Sequence, residues 1–333
     1  MTSNKKSSLL LIYEVLKEYS DKDHYLTQQD IIDYIQRDYD ITLERKSVSK
    51  NIQLLEDELH YDIDRIPKKG CCLLSRTFDE SQVQYLIDAI FSSKNITGKQ
   101  ANELAELLRE SLSKYQRKKY GYLTKSVNVN RNTDSDFFLN IEIINDAIEQ
   151  NKQISFQYID YDEKGNEIIK WAGWKYKVSP YYMINNFGKY YLLCNYNKKG
   201  NKISNYRIDY MRNIEILDEN RISINTLDDV PNYGFNIDEY VNDHIYLFGG
   251  EIITAKVQIL NSSVNSYIVD WFGKNAQFQT ENDKTYVYIH SEKNALYYWC
   301  LQYCENIKVI EPDDLVEKIK DNYKKMNERY NNK

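Results

Sequence analysis

Apolar side chains recur at helical spacing over 7–20, with Leu9, Leu10, Ile12, Tyr13, Leu16 and Tyr19, predicting an amphipathic helix. A second helix is expected over 27–38. Thr27 is its N-cap, Asp30 completes a capping box, and Ile31, Ile32 and Ile35 supply the buried stripe. After Tyr39-Asp40-Ile41, Thr42 reads as the cap of a third helix, Leu43 to Leu59, with Val48, Ile52, Leu55 and Leu59 inward. The period then changes: Tyr61-Asp62-Ile63 and Cys71 to Leu74 flank a Pro67-Lys68-Lys69-Gly70 turn, as in a β-hairpin. Three helices, the last two joined by a short turn and followed by a hairpin, predict a winged helix-turn-helix over residues 1–78.

Residues 79–136 read as a helical linker. Val83, Leu86, Ile87 and Ile90 mark one helix and Leu104, Leu107, Leu108 and Leu112 another. A basic stretch with Lys114, Arg117, Lys118 and Lys119 follows, read as a solvated connector, and a polar segment to Asp136 marks a domain boundary. A middle domain over 137–220 opens with a helix carrying Phe138, Ile141, Ile144 and Ile148 and continues as about five strands. Its heart is Tyr176 to Leu217, a tyrosine-rich meander with turns at Asn185–Gly188 and Asn197–Asn201, which suggests a small barrel-like sheet. Residues 221–249 read as an irregular connector, and 250–333 as a β-α-β-β-α-β unit with a terminal helix, resembling a ferredoxin-like fold. The predicted class is α+β and multidomain.

Composition adds limits. The 333-residue chain is 42% hydrophobic and 28% charged, ordinary for a globular protein. A net charge of −6 argues against a non-specific nucleic-acid coat but leaves room for one local basic face. Five cysteines without framework spacing read as reduced, buried thiols. The N-terminal apolar run is too short for a signal-peptide core, and no run has a transmembrane length, so the chain reads as cytoplasmic and not membrane-bound.

No catalytic constellation emerges. The histidines are scattered, HExxH, GxSxG, CxxC and a phosphate-cradling glycine loop are all missing, and Asp160 and Asp162 read as turn formers. The expectation is a non-enzyme without cofactor or metal. Two clusters can carry binding chemistry. Arg45, Lys46, Ser47, Ser49, Lys50 and Asn51, at the start of the third helix, are side chains that reach phosphates and base edges in a major groove. Lys68 and Lys69 would lie on the DNA backbone from the hairpin tip. In the meander, Arg207 and Arg212 with the tyrosines could hold a planar, anionic ligand. Equally, Arg207 could pair with an acid such as Asp209 or Asp160 and stabilise the sheet.

These residues resemble the WYL-domain transcriptional regulators of bacteria, over nearly the whole chain. The family signature is matched by Pro180, Tyr190-Tyr191-Leu192 and Tyr206-Arg207-Ile208-Asp209-Tyr210. Arg45 to Ile52 resembles the family's recognition helix. Phe248-Gly249-Gly250, Trp271-Phe272-Gly273 and Trp299 resemble its C-terminal WCX extension. In two places the chain departs from the signature: Tyr190 replaces the Trp, and Tyr210 replaces the second arginine, with Arg212 two residues on. The resemblance implies an Sm-like barrel for the middle domain and a sensor of single-stranded DNA or nucleotides that tunes DNA binding. Tyr190, Tyr191, Arg207 and Arg212 would form or border that effector site.

The expected function is a ligand-responsive, homodimeric regulator of a double-stranded operator, its effector a nucleic-acid fragment or nucleotide-like anion. The alternative is a single-stranded nucleic-acid-binding accessory protein of a defence or mobile element.

Overall fold

The computed structural model describes residues 4–119 and 136–331. The polar stretch expected before Asp136 lies outside them. The chain divides into two compact units, Met1–Ser135 and Asp136–Lys333.

The first unit starts with α1 (Asn4–Tyr19), α2 (Gln28–Tyr39) and α3 (Arg45–Asp57), then β1 (Ile63–Ile66) and β2 (Gly70–Leu73). Ile12, Leu16, Ile31, Ile35, Val48, Ile52, Leu55 and Leu73 close a common core. The Thr27 capping box forms as expected: Thr27 Oγ1 accepts from Asp30 N (3.2 Å) and Asp30 Oδ2 from Thr27 N (2.8 Å). Two expectations for α3 fail. Thr42 is not its cap, because Glu44 holds that position and Thr42 spends its hydroxyl on Gln36. Leu59 is 52% exposed, because α3 ends at Asp57 and the residue leaves the helical stripe. β1 and β2 pair antiparallel, Arg65 grips Glu56 of α3, and Leu26 exchanges backbone hydrogen bonds with Cys71 at 2.8 and 2.9 Å. The hairpin is thereby tied to α3 and to the loop before α2.

The helices α4 (Glu80–Ser92), α5 (Gly98–Arg109) and α6 (Lys114–Lys119) follow in the same unit. In α5 the inward stripe is Ala101, Ala105 and Arg109, while Leu107 is exposed. The basic α6 packs back rather than standing in solvent. Arg117 pairs with Glu18, Ser113 Oγ donates to Asp21 Oδ2 (2.6 Å), and Tyr115 stacks on His24 (3.6 Å). Arg76, which the sequence did not single out, donates to the carbonyls of Lys17 (2.9 Å), Ser20 (2.6 Å) and Ser111 (3.2 Å). It thereby ties the C-terminal end of α1, where carbonyls lack helical partners, to the segment between α5 and α6.

The second unit begins with α7 (Phe137–Glu149), whose buried stripe is Phe137, Asn140, Ile144 and Ala147. Phe138, expected inward, is exposed: two stripes fit the helical period and packing on the sheet selects one. The strands β3 (Lys152–Tyr161), β5 (Tyr176–Asn186), β6 (Lys189–Asn195), β7 (Ile203–Arg207) and β8 (Met211–Asn220) form an antiparallel sheet ordered β8-β3-β5-β6-β7. Short β4 (Glu167–Ile169) pairs with the far end of β3.

Residues 221–249 are not merely a connector. They include α8 (Ile237–Asp243), and Leu227, Phe235 and Tyr240 pack on Tyr181, Leu193 and Ile203. A second sheet follows, from β9 (Ile252–Ile259), β10 (Ala276–Glu281), β11 (Lys284–Glu292) and β12 (Ile307–Glu311), ordered β10-β11-β9-β12. α9 (Asn265–Phe272), α10 (Lys293–Gln302) and α11 (Asp313–Asn331) supply Ile268, Phe272, Leu296, Trp299 and Leu315 to its core. Cys71, Cys72, Cys194 and Cys300 are buried and free, and burial pushes the Cys300 thiol up to about 12. No helix among the described residues is long and apolar enough to cross a membrane.

Candidate nucleic-acid and ligand sites

In the first unit, α3 turns Arg45, Lys46 and Lys50 to solvent, with Val48, Ile52 and Leu55 beneath. No acidic residue interrupts the helix before Glu56. Ser47 and Ser49 are half-buried. Asn51 is turned inward: its amide donates to the Ser47 carbonyl (2.9 Å) and to Ser8 Oγ on α1 (3.2 Å). That side chain braces α3 against α1, and only Arg45, Lys46 and Lys50 of the six expected contacts are fully outward. Arg45 also donates to Gln29 on α2 (2.9 Å). At the hairpin tip Lys68 and Lys69 are exposed, with the Lys69 ammonium 4.0 Å from the Tyr25 ring centre.

In the second unit, Tyr191 and Arg207 lie directly opposite one another on β6 and β7. Tyr190 is the next residue and so points to the other face, where its ring meets Phe137 edge-on at 5.7 Å. It covers α7 and does not stand beside Arg207. Arg207 holds Asp209 bidentately, Nε to Oδ1 at 3.0 Å and Nη2 to Oδ2 at 2.6 Å. Its guanidinium lies 4.0 Å from the Tyr210 ring centre. Burial works against this charge, but the Asp209 carboxylate more than offsets it, so the guanidinium is held above its ordinary value. Tyr158 supports the strand end from below, its hydroxyl accepting from the Arg207 backbone N–H at 3.0 Å.

Arg212 does not share a face with Tyr210 by strand alternation, because a 3₁₀ turn over Ile208–Tyr210 interrupts the strand. It instead forks onto Glu167 of β4 (3.1 and 2.9 Å) and donates to the Asp209 carbonyl (2.9 Å). Two arginines thus face two carboxylates, and their charges are balanced within the cluster.

Sequence reasoning missed a second cluster. Trp171 (70% exposed) and Trp174 stand on the loop after β4, and Trp171 and Ala172 hold left-handed backbone (φ 54° and 50°). The Lys198 ammonium lies 3.8 Å from the Trp174 ring centre, and Lys199 lines a shallow cleft with Trp171, Trp174, Tyr176 and Tyr196. The two tryptophans, outside the signature, were the only advance signal.

Compared as a whole, the chain is similar to proteasome accessory factor B/C (PafBC) of Arthrobacter aurescens. The identity is 13% and the TM-score 0.30, over 95% of this chain and 47% of that one. It therefore spans about half of the PafBC chain. It is also similar to a CRISPR Cas-related protein, at 17% identity and a TM-score of 0.37, over 97% of this chain and 86% of that one. Likenesses this loose carry no argument about fold or function. No curated protein matches the chain. One family model matches: residues 140–216, from most of α7 through β3 to β7 and the first part of β8, match the WYL domain.

Proposed function

We propose that this protein is a ligand-responsive, DNA-binding transcriptional regulator. Residues 1–78 act as a winged helix-turn-helix, 79–136 as a helical linker, 137–220 as an Sm-like WYL barrel and 250–333 as a WCX-type, ferredoxin-like extension reached through 221–249. The observation that carries the reading is the outward Arg45, Lys46 and Lys50 on the first turns of α3, ahead of its first acidic residue, followed by a hairpin whose tip carries Lys68 and Lys69. α3 would read a duplex operator in the major groove while the hairpin lysines meet phosphates. A homodimer would double the half-site and hence the specificity. The effector would be a nucleic-acid fragment or nucleotide-like anion that draws Arg207 away from Asp209, near Tyr191 and Arg212. The protein would work as a cytoplasmic binding protein rather than an enzyme. Mapping bound DNA across the genome, followed by shift assays with α3 variants, tests this; variants that bind the recovered duplex as well as the parent would overturn it.

A second reading is a single-stranded nucleic-acid-binding accessory protein of a defence or mobile element. It draws on the exposed Trp171 and Trp174 beside Lys198 and Lys199, a pairing of π faces with cations that suits unpaired bases. Affinity for the recovered duplex against that for its separated strands discriminates the two.

A further inference from the structure

Where the turn between α7 and β3, the middle of β5 and the end of β8 meet, a cleft of about 560 Å³ opens beside Arg221. Asn151, Asn220, Ser223 and Asn225 give it polar walls, and no acidic residue borders it. Two cations stand here on neutral partners. The half-buried Arg221 donates through Nη1 to the Pro180 carbonyl (3.1 Å), and most of its N–H groups stay unfilled. Lys152 donates to the Asp218 carbonyl (2.5 Å) and to Oδ1 of Asn220 on the cleft wall (3.0 Å). Neither pairs with a carboxylate among the described residues.

Tyr181 adds a second feature. The β5–β6 register pairs Pro180 with Cys194 and Tyr182 with Leu193, which leaves Tyr181 as the extra residue of a bulge. It lines the cleft, is 4% exposed, and has the Arg221 guanidinium 5.9 Å from its ring centre. Its hydroxyl is buried without a hydrogen-bond partner. The neighbouring Ser179 Oγ already accepts from the Ile222 N–H (3.0 Å) and from Gln153 (3.3 Å), so it has no lone pair left for the Tyr181 proton. A buried donor without an acceptor is costly, and beside a cavity lined by further unfilled donors it points to an acceptor-rich ligand.

We propose that this cleft binds a phosphate monoester of a small polyol, of pentose or hexose size. Its phosphate oxygens accept from Arg221 and Tyr181, and Lys152 supplies the second positive charge. A phosphate monoester carries close to two negative charges at neutral pH, which two cations match and a single carboxylate does not. The hydroxyls of the polyol meet Asn151, Ser223 and Asn225, side chains that both donate and accept. The volume leaves room for such a body beyond the phosphate. Arg207, Asp209 and Arg212 do not border the cleft, so this site is separate from the effector site proposed above.

Calorimetric titration of the full-length protein with ribose 5-phosphate and with glucose 6-phosphate tests the assignment, with ribose, glucose and inorganic phosphate as the separate halves. Saturable binding of at least one ester is expected, each of its halves binding at least about tenfold more weakly. Arg221→Gln should weaken that ester by about tenfold or more, and Lys152→Met by less. Tyr181→Phe should weaken it severalfold without lowering the melting temperature, because the hydroxyl it removes has no partner in the free protein. A hydroxyl with a structural role alone would lower the melting temperature and leave affinity unchanged. Arg207→Ala should bind the ester like the parent. No heat from either ester at millimolar concentration, inorganic phosphate binding as tightly as the ester, or affinity unchanged in Arg221→Gln and Tyr181→Phe would overturn the proposal, as would loss of binding in Arg207→Ala. Should Arg221→Gln fail to fold, Tyr181→Phe and Lys152→Met decide it. None of these outcomes depends on whether α3 binds DNA.

Discussion

Arg207 and Asp209, two residues apart, grip each other through paired hydrogen bonds of 3.0 and 2.6 Å, and the Asp209 carbonyl also receives Arg212. Asp209 is therefore the hinge of the arginine site: it neutralises one guanidinium and positions the other. A ligand anion gains Arg207 only by replacing Asp209.

Asp209→Asn should keep the shape of the turn while releasing the Arg207 charge. Affinity for a single-stranded oligonucleotide should rise and become more salt-dependent, while stability falls by about 2 kcal/mol, below the cost of breaking a fully buried pair because Arg207 is 24% exposed. Fluorescence anisotropy at two salt concentrations and urea unfolding measure both. Arg207→Ala should abolish any effector response and spare duplex binding; a full response in that variant would exclude Arg207 as a ligand contact.

On α3, the outward and inward polar residues should separate cleanly. Arg45→Ala with Lys50→Ala should weaken duplex binding and lower the salt slope by roughly one for each phosphate that is no longer neutralised. Asn51→Ala should instead cost about 1 kcal/mol of stability, since its hydrogen bonds to Ser47 and Ser8 go with the side chain. Shift assays alongside thermal melts would contradict this if Asn51→Ala lost DNA affinity with its melting unchanged.

Gly70 is required by its surroundings. It holds φ +117°, and an added Cβ would overlap the Leu26 carbonyl, which pairs with the Cys71 N–H. Gly70→Ala should destabilise the first unit by about 2–4 kcal/mol, combining backbone strain with steric displacement. Chemical denaturation reads this directly, and a loss below about 0.5 kcal/mol would be that of an ordinary surface position.

Burial pushes the His244 imidazole below its ordinary pKa, against smaller opposing effects of the Tyr240 carbonyl, Asp243, Glu292 and Asp229. The sign follows from linkage. The unfolded chain takes up this proton at higher pH than the folded one, so stability falls as pH drops through the unfolded value of about 6.5 toward the lower folded one. His244→Phe should remove that component of the acid sensitivity, visible as a flatter stability profile between about pH 6.5 and 5.

Much of the fold was legible along the chain. The Thr27–Asp30 box and the stripes of Ile31, Ile35, Val48 and Ile52 are local patterns, and hydrophobic periodicity specifies them without reference to the rest of the molecule. The meander strands and their turns were legible for the same reason. So were both residues of the Arg207–Asp209 pair, because they are neighbours in sequence.

What tertiary structure alone decided is which of several equivalent local choices survives. Phe137 rather than Phe138 faces the sheet, and Asn51 faces α1 rather than solvent, because both stripes satisfy the helical period and only packing separates them. Tyr190 and Tyr191 read as one motif, yet strand alternation sends them to opposite faces. The Ile208–Tyr210 turn interrupts the strand, so alternation does not fix the place of Arg212. The cleft beside Arg221 joins Asn151, Tyr181 and Asn225, residues that share no periodicity and meet only because β3 pairs with both β5 and β8. Sequence determines which side chains are available and which local elements they favour; long-range packing decides which of them face one another.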